Sequence, residues 1–177
     1  MSTVKNTYPN LPVEDFKRTS ISIDEVKSYL ISLDVPLEVK RSAYMIFRNE
    51  SGNGKHGVNN NYTGVQADGN KLGHGFDEKV IATVVMPENA TKKPRRFAIF
   101  ETYKGSIDYL ASRIYARGIY IGGKTNSAYS KIDVTTPERL AVAYYKEWVA
   151  GSITAEIPIT QKNCYISLYK SAVKAIK

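Results

Sequence analysis

Apolar residues along this chain change period several times, and each change marks an element. Ile23, Val26, Leu30 and Leu33 recur at helical spacing behind Ser22-Ile-Asp-Glu25, a capping-box pattern with Ser22 as N-cap and Glu25 at N3. Pro36 suits the first turn of a second helix, which runs to Asn49 or Glu50 with Val39, Ala43, Ile46 and Phe47 on one face. Residues 51–75 hold more than half of the glycines and five asparagines, and read as a long shaped loop. Residues 79–86 are β-branched and predict a strand, 96–102 its partner, and 87–94 the turn between them.

Helical spacing resumes after Ser106, placed as N-cap, with Ile107, Leu110, Ala111 and Ile114 inward and Gly118 as the stop. A polar loop, 122–134, follows. Thr136 and Pro137 open another helix that reaches Val149 and stops at Gly151. After an extended piece with Pro158, residues 163–176 predict a last helix with Ile166, Leu168, Tyr169, Ala172, Val173 and Ile176 inward. Residues 1–20 carry Pro9 and Pro12 without a sustained period and read as an extended N-terminal arm. The pattern is that of an α+β, mainly helical domain over 21–177, with one β-hairpin inserted after the second helix and its loop.

Composition narrows the function classes. A chain of 177 residues suits one domain with a sizeable core. No stretch approaches the apolar length of a bilayer span, so no membrane insertion is expected. The first ten residues lack an apolar h-region, so no secretory signal is expected. One cysteine, Cys164, excludes an internal disulfide; with His56 and His74 lacking ligand spacing, no metal and no cofactor are implied. The net charge of +8 favours anionic partners. Its clearest cluster, Lys92-Lys-Pro-Arg-Arg96, suits an anionic wall polymer or phosphates, or the solvated tip of a hairpin. Nucleic acid ranks last as a partner, because no helix-turn-helix or RNA-binding signature accompanies the charge. The thirteen tyrosines suit a sugar groove, since such rings stack on sugar faces, and they equally fill cores.

Glu50 is the candidate with the sharpest chemistry. It continues the apolar face of the second helix where that helix ends, just before Gly52-Asn-Gly54. Burial on that face and the negative end of the helix dipole both favour a protonated carboxyl, the form that donates a proton to a glycosidic oxygen. The competing reading is a solvated C-terminal glutamate beside a glycine cap.

Three segments in order carry a family resemblance. Glu50-Ser-Gly-Asn-Gly54 resembles a Glu-Ser-Gly-Trp-Gly motif, Asn60-Asn-Tyr-Thr-Gly-Val-Gln66 an Asn-Asn-Leu-Phe-Gly-Ile-Lys segment, and Phe97 to Ile107 the pattern Phe-Arg-Val-Tyr-Asp-Ser-x-x-x-Ser-Ile. Together they resemble the glucosaminidase family of peptidoglycan hydrolases, which includes the flagellar muramidase domain, within the lysozyme-like superfamily. The resemblance covers roughly the central half of the chain. It implies a lysozyme-like fold and cleavage of a β-1,4 bond between N-acetylated amino sugars of peptidoglycan, with Glu50 as general acid.

The chain departs from the family in two respects. The motif's Trp is Asn53, and the second acid of the first hairpin strand falls at Val84 or Val85. Asp68, Asp77, Glu78 and Glu101 are the nearby acids. Asp68 and Glu78 are the catalytic candidates beside Glu50, whereas Glu101 suits a structural role. Tyr62, Gln66, Tyr109 and Tyr120 are the candidate sugar-binding residues, and Ser51 either orients Glu50 or serves its own loop. Asn59, Asn60 and Asn61 suit left-handed turn positions. Without a second acid, a single-Glu lytic transglycosylase is the alternative chemistry. A catalytically silent structural or adaptor module of a virion or secretion machine is the alternative class. A wall-cutting chain without a signal peptide suggests delivery by a phage particle or secretion system, with other virion proteins as further partners.

Overall fold

The computed structural model describes residues 4–88, 92–126 and 129–177. In chain order its elements are β1 (Arg18–Thr19), α1 (Ile23–Ser32), α2 (Leu37–Glu50), β2 (Gly57–Val58), β3 (Val80–Pro87), β4 (Pro94–Phe100), α3 (Tyr103–Arg117), α4 (Pro137–Tyr144) and α5 (Ile159–Ala175). This is an α+β architecture with two small antiparallel sheets, β1-β2 and β3-β4. The chain forms two compact units. The first comprises Met1–Ser22 and Glu50–Tyr109, and the second Ile23–Asn49 and Leu110–Lys177.

In the first unit, β3 and β4 pair from Val80↔Phe100 to Pro87↔Pro94, with an irregularity between Val80 and Ala82. Val80 packs with Ala98 and Phe100, whereas Ala82 and Val84, beyond the irregularity, pack with Ile99; Thr83 between them is buried too, and Ile81 and Val85 are exposed, so both faces of the hairpin are covered. Residues 89–91 at the expected turn lie outside the described residues. Tyr8, Val65, Ala67, Val80, Ala98 and Phe100 form one core cluster, and Ala82, Val84 and Ile99 a second. The arm is stitched to this core by main-chain bonds. Thr7 N–H donates to Ala67 (2.9 Å), Thr83 N–H to Pro12 (2.9 Å) and Glu14 N–H to Thr83 (2.8 Å), and β1 pairs with β2. Such bonds need no side-chain period, which is why the arm shows none.

Helix α3 begins at Tyr103, so Ser106 is inside the helix rather than its N-cap. Its hydroxyl instead donates to the Tyr103 carbonyl (3.2 Å) and accepts from Tyr62 N–H (3.3 Å), a local use that competes with capping. Ile107, Leu110, Ala111 and Ile114 are all buried, and Gly118 ends the helix at φ 70°.

In the second unit, α1 buries Val26 and Leu30, and α2 buries Val39, Ala43, Ile46 and Phe47 together with Ser42, Tyr44 and Met45. Thr136 caps α4 by accepting from Arg139 N–H (3.3 Å), with Pro137 in the first turn. Beyond Tyr144 the helix widens into a π turn, Tyr145–Ala150, and Gly151 closes it in the left-handed region. The preceding loop is anchored on Glu147, a buried carboxylate that accepts from Ser130 Oγ (2.6 Å). Helix α5 starts at Ile159, four residues before the expected position, because the Pro158 backbone supplies the cap geometry. Its buried residues are Tyr165, Tyr169 and Ala172, with Ile176 buried just beyond its end, whereas Val173, expected inward, is exposed. The Tyr165 ring meets Tyr144 edge-on at 4.8 Å, an aromatic contact that decides which face turns in. Trp148 is half-buried with Arg117 over its ring, and Cys164 is exposed.

Candidate active site

Helix α2 ends at Glu50, and the chain then turns sharply. Ser51, fully buried, accepts from Gly54 N–H (2.8 Å), and its carbonyl accepts from His56 N–H (2.9 Å). The hydroxyl thus helps to close the turn that follows Glu50. Gly52, Asn53 and Gly54 follow at φ 56°, 59° and 84°. Gly54 has a second reason to be glycine: a β-carbon there would fall on the carbonyl oxygen of Ile21, whose N–H donates to Gly54 (2.9 Å). Asn53 supplies a left-handed turn where the resembling motif has an aromatic residue.

The three asparagines then staple the loop in place. Asn59 and Asn60 adopt φ 49° and 64°, the positions that Asn tolerates best after glycine. Asn59 accepts from Lys17 N–H (2.8 Å) and donates to Asp15 (3.1 Å), and Asn60 donates to the carbonyls of Phe100 (3.1 Å) and Glu101 (2.8 Å). Asn61 is buried. Its oxygen accepts from Val65 N–H (3.0 Å), and its amide donates to the carbonyls of Val65 and Ala98 (2.9 Å each).

Within the first unit, Glu50, the 56–64 loop and the hairpin enclose a cavity of about 160 Å3. Glu50, His56, Tyr62 and Glu88 line it, with Val58, Met86 and Phe97 as apolar wall. Glu50 is exposed to this cavity, not buried as its place on the apolar face predicts. The helix stops at that residue, so the next turn that would cover the carboxyl does not exist. Tyr62 is buried, its ring against Gly57, where a β-carbon would collide with it. His56 Nδ1 lies 3.1 Å from Arg18 Nη1, brought there by the β1-β2 pairing. A guanidinium only donates, so in this contact Nδ1 is the acceptor.

The other expected site residues have different surroundings. Asp68 is clamped by Arg95, which donates through Nε (2.6 Å) and Nη2 (3.0 Å), and Arg96 N–H adds a third bond (3.3 Å). Burial pushes this carboxyl up, but the Arg95 and Arg96 bonds outweigh it and hold it below the ordinary range. Gln66 is exposed and accepts from the same Arg95 (2.7 Å). Glu78 is exposed in a 3-10 turn, Asp77–Lys79, beside Asp77. Tyr109 packs edge-on to Phe76 at 5.3 Å, and Tyr120, in the second unit, stacks on Tyr115 at 5.9 Å. Of the seven residues singled out, the cavity lining unites Glu50 and Tyr62.

Glu88 and His56 are the cavity residues that sequence reasoning missed. Glu88 follows β3 directly, 3.5 Å from Arg95 Nη1, whereas the expected acid position falls on buried Val84 or exposed Val85. Only the strand's extension through Pro87 delivers it. The basic cluster divides: Lys92 and Lys93 are exposed at the tip, whereas Arg95 holds Asp68 and Arg96 donates to Thr83 Oγ1 (2.9 Å) and the Lys5 carbonyl (3.3 Å).

Comparison with protein-family models, curated proteins and solved structures finds no match to this chain. Among the described residues, no helix is long and apolar enough to cross a membrane.

Proposed function

We propose that the chain is a peptidoglycan hydrolase of lysozyme-like fold, in which Glu50 protonates the leaving oxygen of a β-1,4 bond between N-acetylated amino sugars. The observation that carries this reading is the end of α2, which presents Glu50 to a cavity bordered by a second carboxylate, Glu88, and by the Tyr62 ring. Paired carboxyls across a cleft are the chemistry of glycoside hydrolysis. A glycan lying in the cavity would displace water from Glu50, and the loss of solvation favours the protonated form that a general acid needs. Glu88 then takes the role of stabilising the developing positive charge or activating water, ahead of Asp68 and Glu78. Both Asp68 and Glu88 meet Arg95, but Asp68 takes its two short bonds and, like Glu78, is not among the residues that line the cavity.

The reading is tested by incubating the protein with purified peptidoglycan and identifying released fragments by mass spectrometry, with Glu50→Gln as control. Reducing-end fragments that vanish in the variant support the hydrolase and identify the bond. Anhydro-sugar ends would replace it with a single-Glu transglycosylase. No release from walls of several chemistries would favour a structural module of a virion or secretion machine.

A further inference from the structure

The positive charge is unevenly divided. The second unit holds fourteen Lys and Arg against eight Asp and Glu, and so carries six of the eight net positive charges. Within it, the 131–133 segment and the starts of α4 and α5 enclose a shallow basin of about 390 Å3. Lys131, Arg139 and Lys162 line it beside Asp133 and Glu138, with Ile132 and Val142 as apolar surface.

Both acids are already answered within the protein. Asp133 stands 3.7 Å from Lys124. The carboxyl of Glu138 turns back to its own N–H and to Thr136, with Lys170 and Lys162 close by. The cations are less committed, although Lys162 shares its charge with Glu138. Among the described residues, Lys131 and Lys162 make no ion pair, and Arg139 places one Nη1 donor on the Asp133 carbonyl (3.0 Å). One guanidinium fork and two ammonium groups around a partly aliphatic basin are a receptor for a phosphate that carries carbon on both sides.

We infer that this basin binds the phosphodiester groups of an anionic polyol-phosphate chain. Single-stranded nucleic acid presents the same phosphates, but its bases seek aromatic platforms, and among the described residues no aromatic side chain lines the basin. The hairpin cluster is a weaker receptor, because Arg95 and Arg96 are engaged inside the fold. This site is independent of Glu50 and its chemistry.

The test is an amide NMR titration of the whole protein with a poly(glycerol phosphate) oligomer, with inorganic phosphate, and with a single-stranded DNA of equal charge. The oligomer is expected to shift amides of residues 131–142 and 159–163, to bind about tenfold more tightly than inorganic phosphate, and to weaken as salt rises. Lys131→Gln with Lys162→Gln should lower its affinity by about tenfold, whereas Lys131→Arg with Lys162→Arg, which keeps the charge, should retain it. Shifts confined to other residues, an unchanged affinity in the glutamine variant, or tighter binding of the DNA would overturn the inference. These outcomes are read whether or not the protein cuts peptidoglycan.

Discussion

The hydroxyl of Tyr8 donates a hydrogen bond of 2.6 Å to Oδ1 of Asp77. The same carboxylate accepts from the N–H groups of Leu72 (2.9 Å) and Gly73 (3.0 Å), so it joins the arm, the glycine-rich loop and the turn before β3. The Tyr8 bond, followed by those main-chain donors, outweighs the opposing effect of burial and holds the Asp77 carboxyl below its ordinary range. Burial first, and then this bond, push the Tyr8 phenol up.

A depressed carboxyl contributes stability that is complete above its unfolded value, about 3.9, and is lost as pH falls through the folded one. Tyr8→Phe should cost about 1.5–3 kcal/mol at neutral pH, with the gap to the native protein narrowing in strong acid. Urea unfolding at both pH values measures it, and a gap independent of pH would reject the Tyr8–Asp77 coupling.

Glu50→Gln should lower fragment release from peptidoglycan by about two orders of magnitude or more, the scale of a lost general acid. Its thermal midpoint should barely move, because Glu50 is exposed. Retained turnover would remove Glu50 from the mechanism.

Asp68→Asn separates a structural from a catalytic carboxylate. The change weakens the clamp on Arg95 and should cost about 1–3 kcal/mol in denaturant unfolding. The rate per folded molecule should stay near that of the native protein. A collapse in rate at unchanged stability would instead restore Asp68 to the chemistry.

Asn61→Ala would strand buried polar groups, among them the Val65 N–H and the Ala98 carbonyl, at a cost of about 2–4 kcal/mol. Asn61→Asp keeps the acceptor and loses both amide donors, so it should not rescue. Hydrogen exchange should show faster opening at Val65 and Ala98 in both variants; unaltered protection there would show that the bonds contribute little.

Gly54→Ala meets two penalties at once, a left-handed φ of 84° and a β-carbon on the Ile21 carbonyl oxygen. Thermal unfolding should report a loss of about 2 kcal/mol or more. Gly64→Ala, where φ is 65° but space is open, should cost less. Equal losses would mean that backbone strain alone decides.

The helices, to within a turn at their ends, the hairpin and the turn at Gly52-Asn-Gly54 are legible along the chain, because helical spacing, β-branched runs and left-handed turn residues are properties of near neighbours. Val39, Ala43, Ile46 and Phe47 are buried as their spacing requires, and Asn59 and Asn60 take the left-handed positions that their side chains suit. What stands around Glu50 was decided by tertiary structure. Whether a carboxylate is a free acid or a clamped one depends on partners distant in the chain: Asp68 meets Arg95, twenty-seven residues on, and Asp77 meets Tyr8, sixty-nine residues before. His56 and Glu88 reach the cavity only through the pairing of β1 with β2 and the continuation of β3 through Pro87. Local propensity is written in consecutive residues, whereas the solvation and charge environment that give a side chain its chemistry are set by groups that only the folded chain brings within a few ångströms.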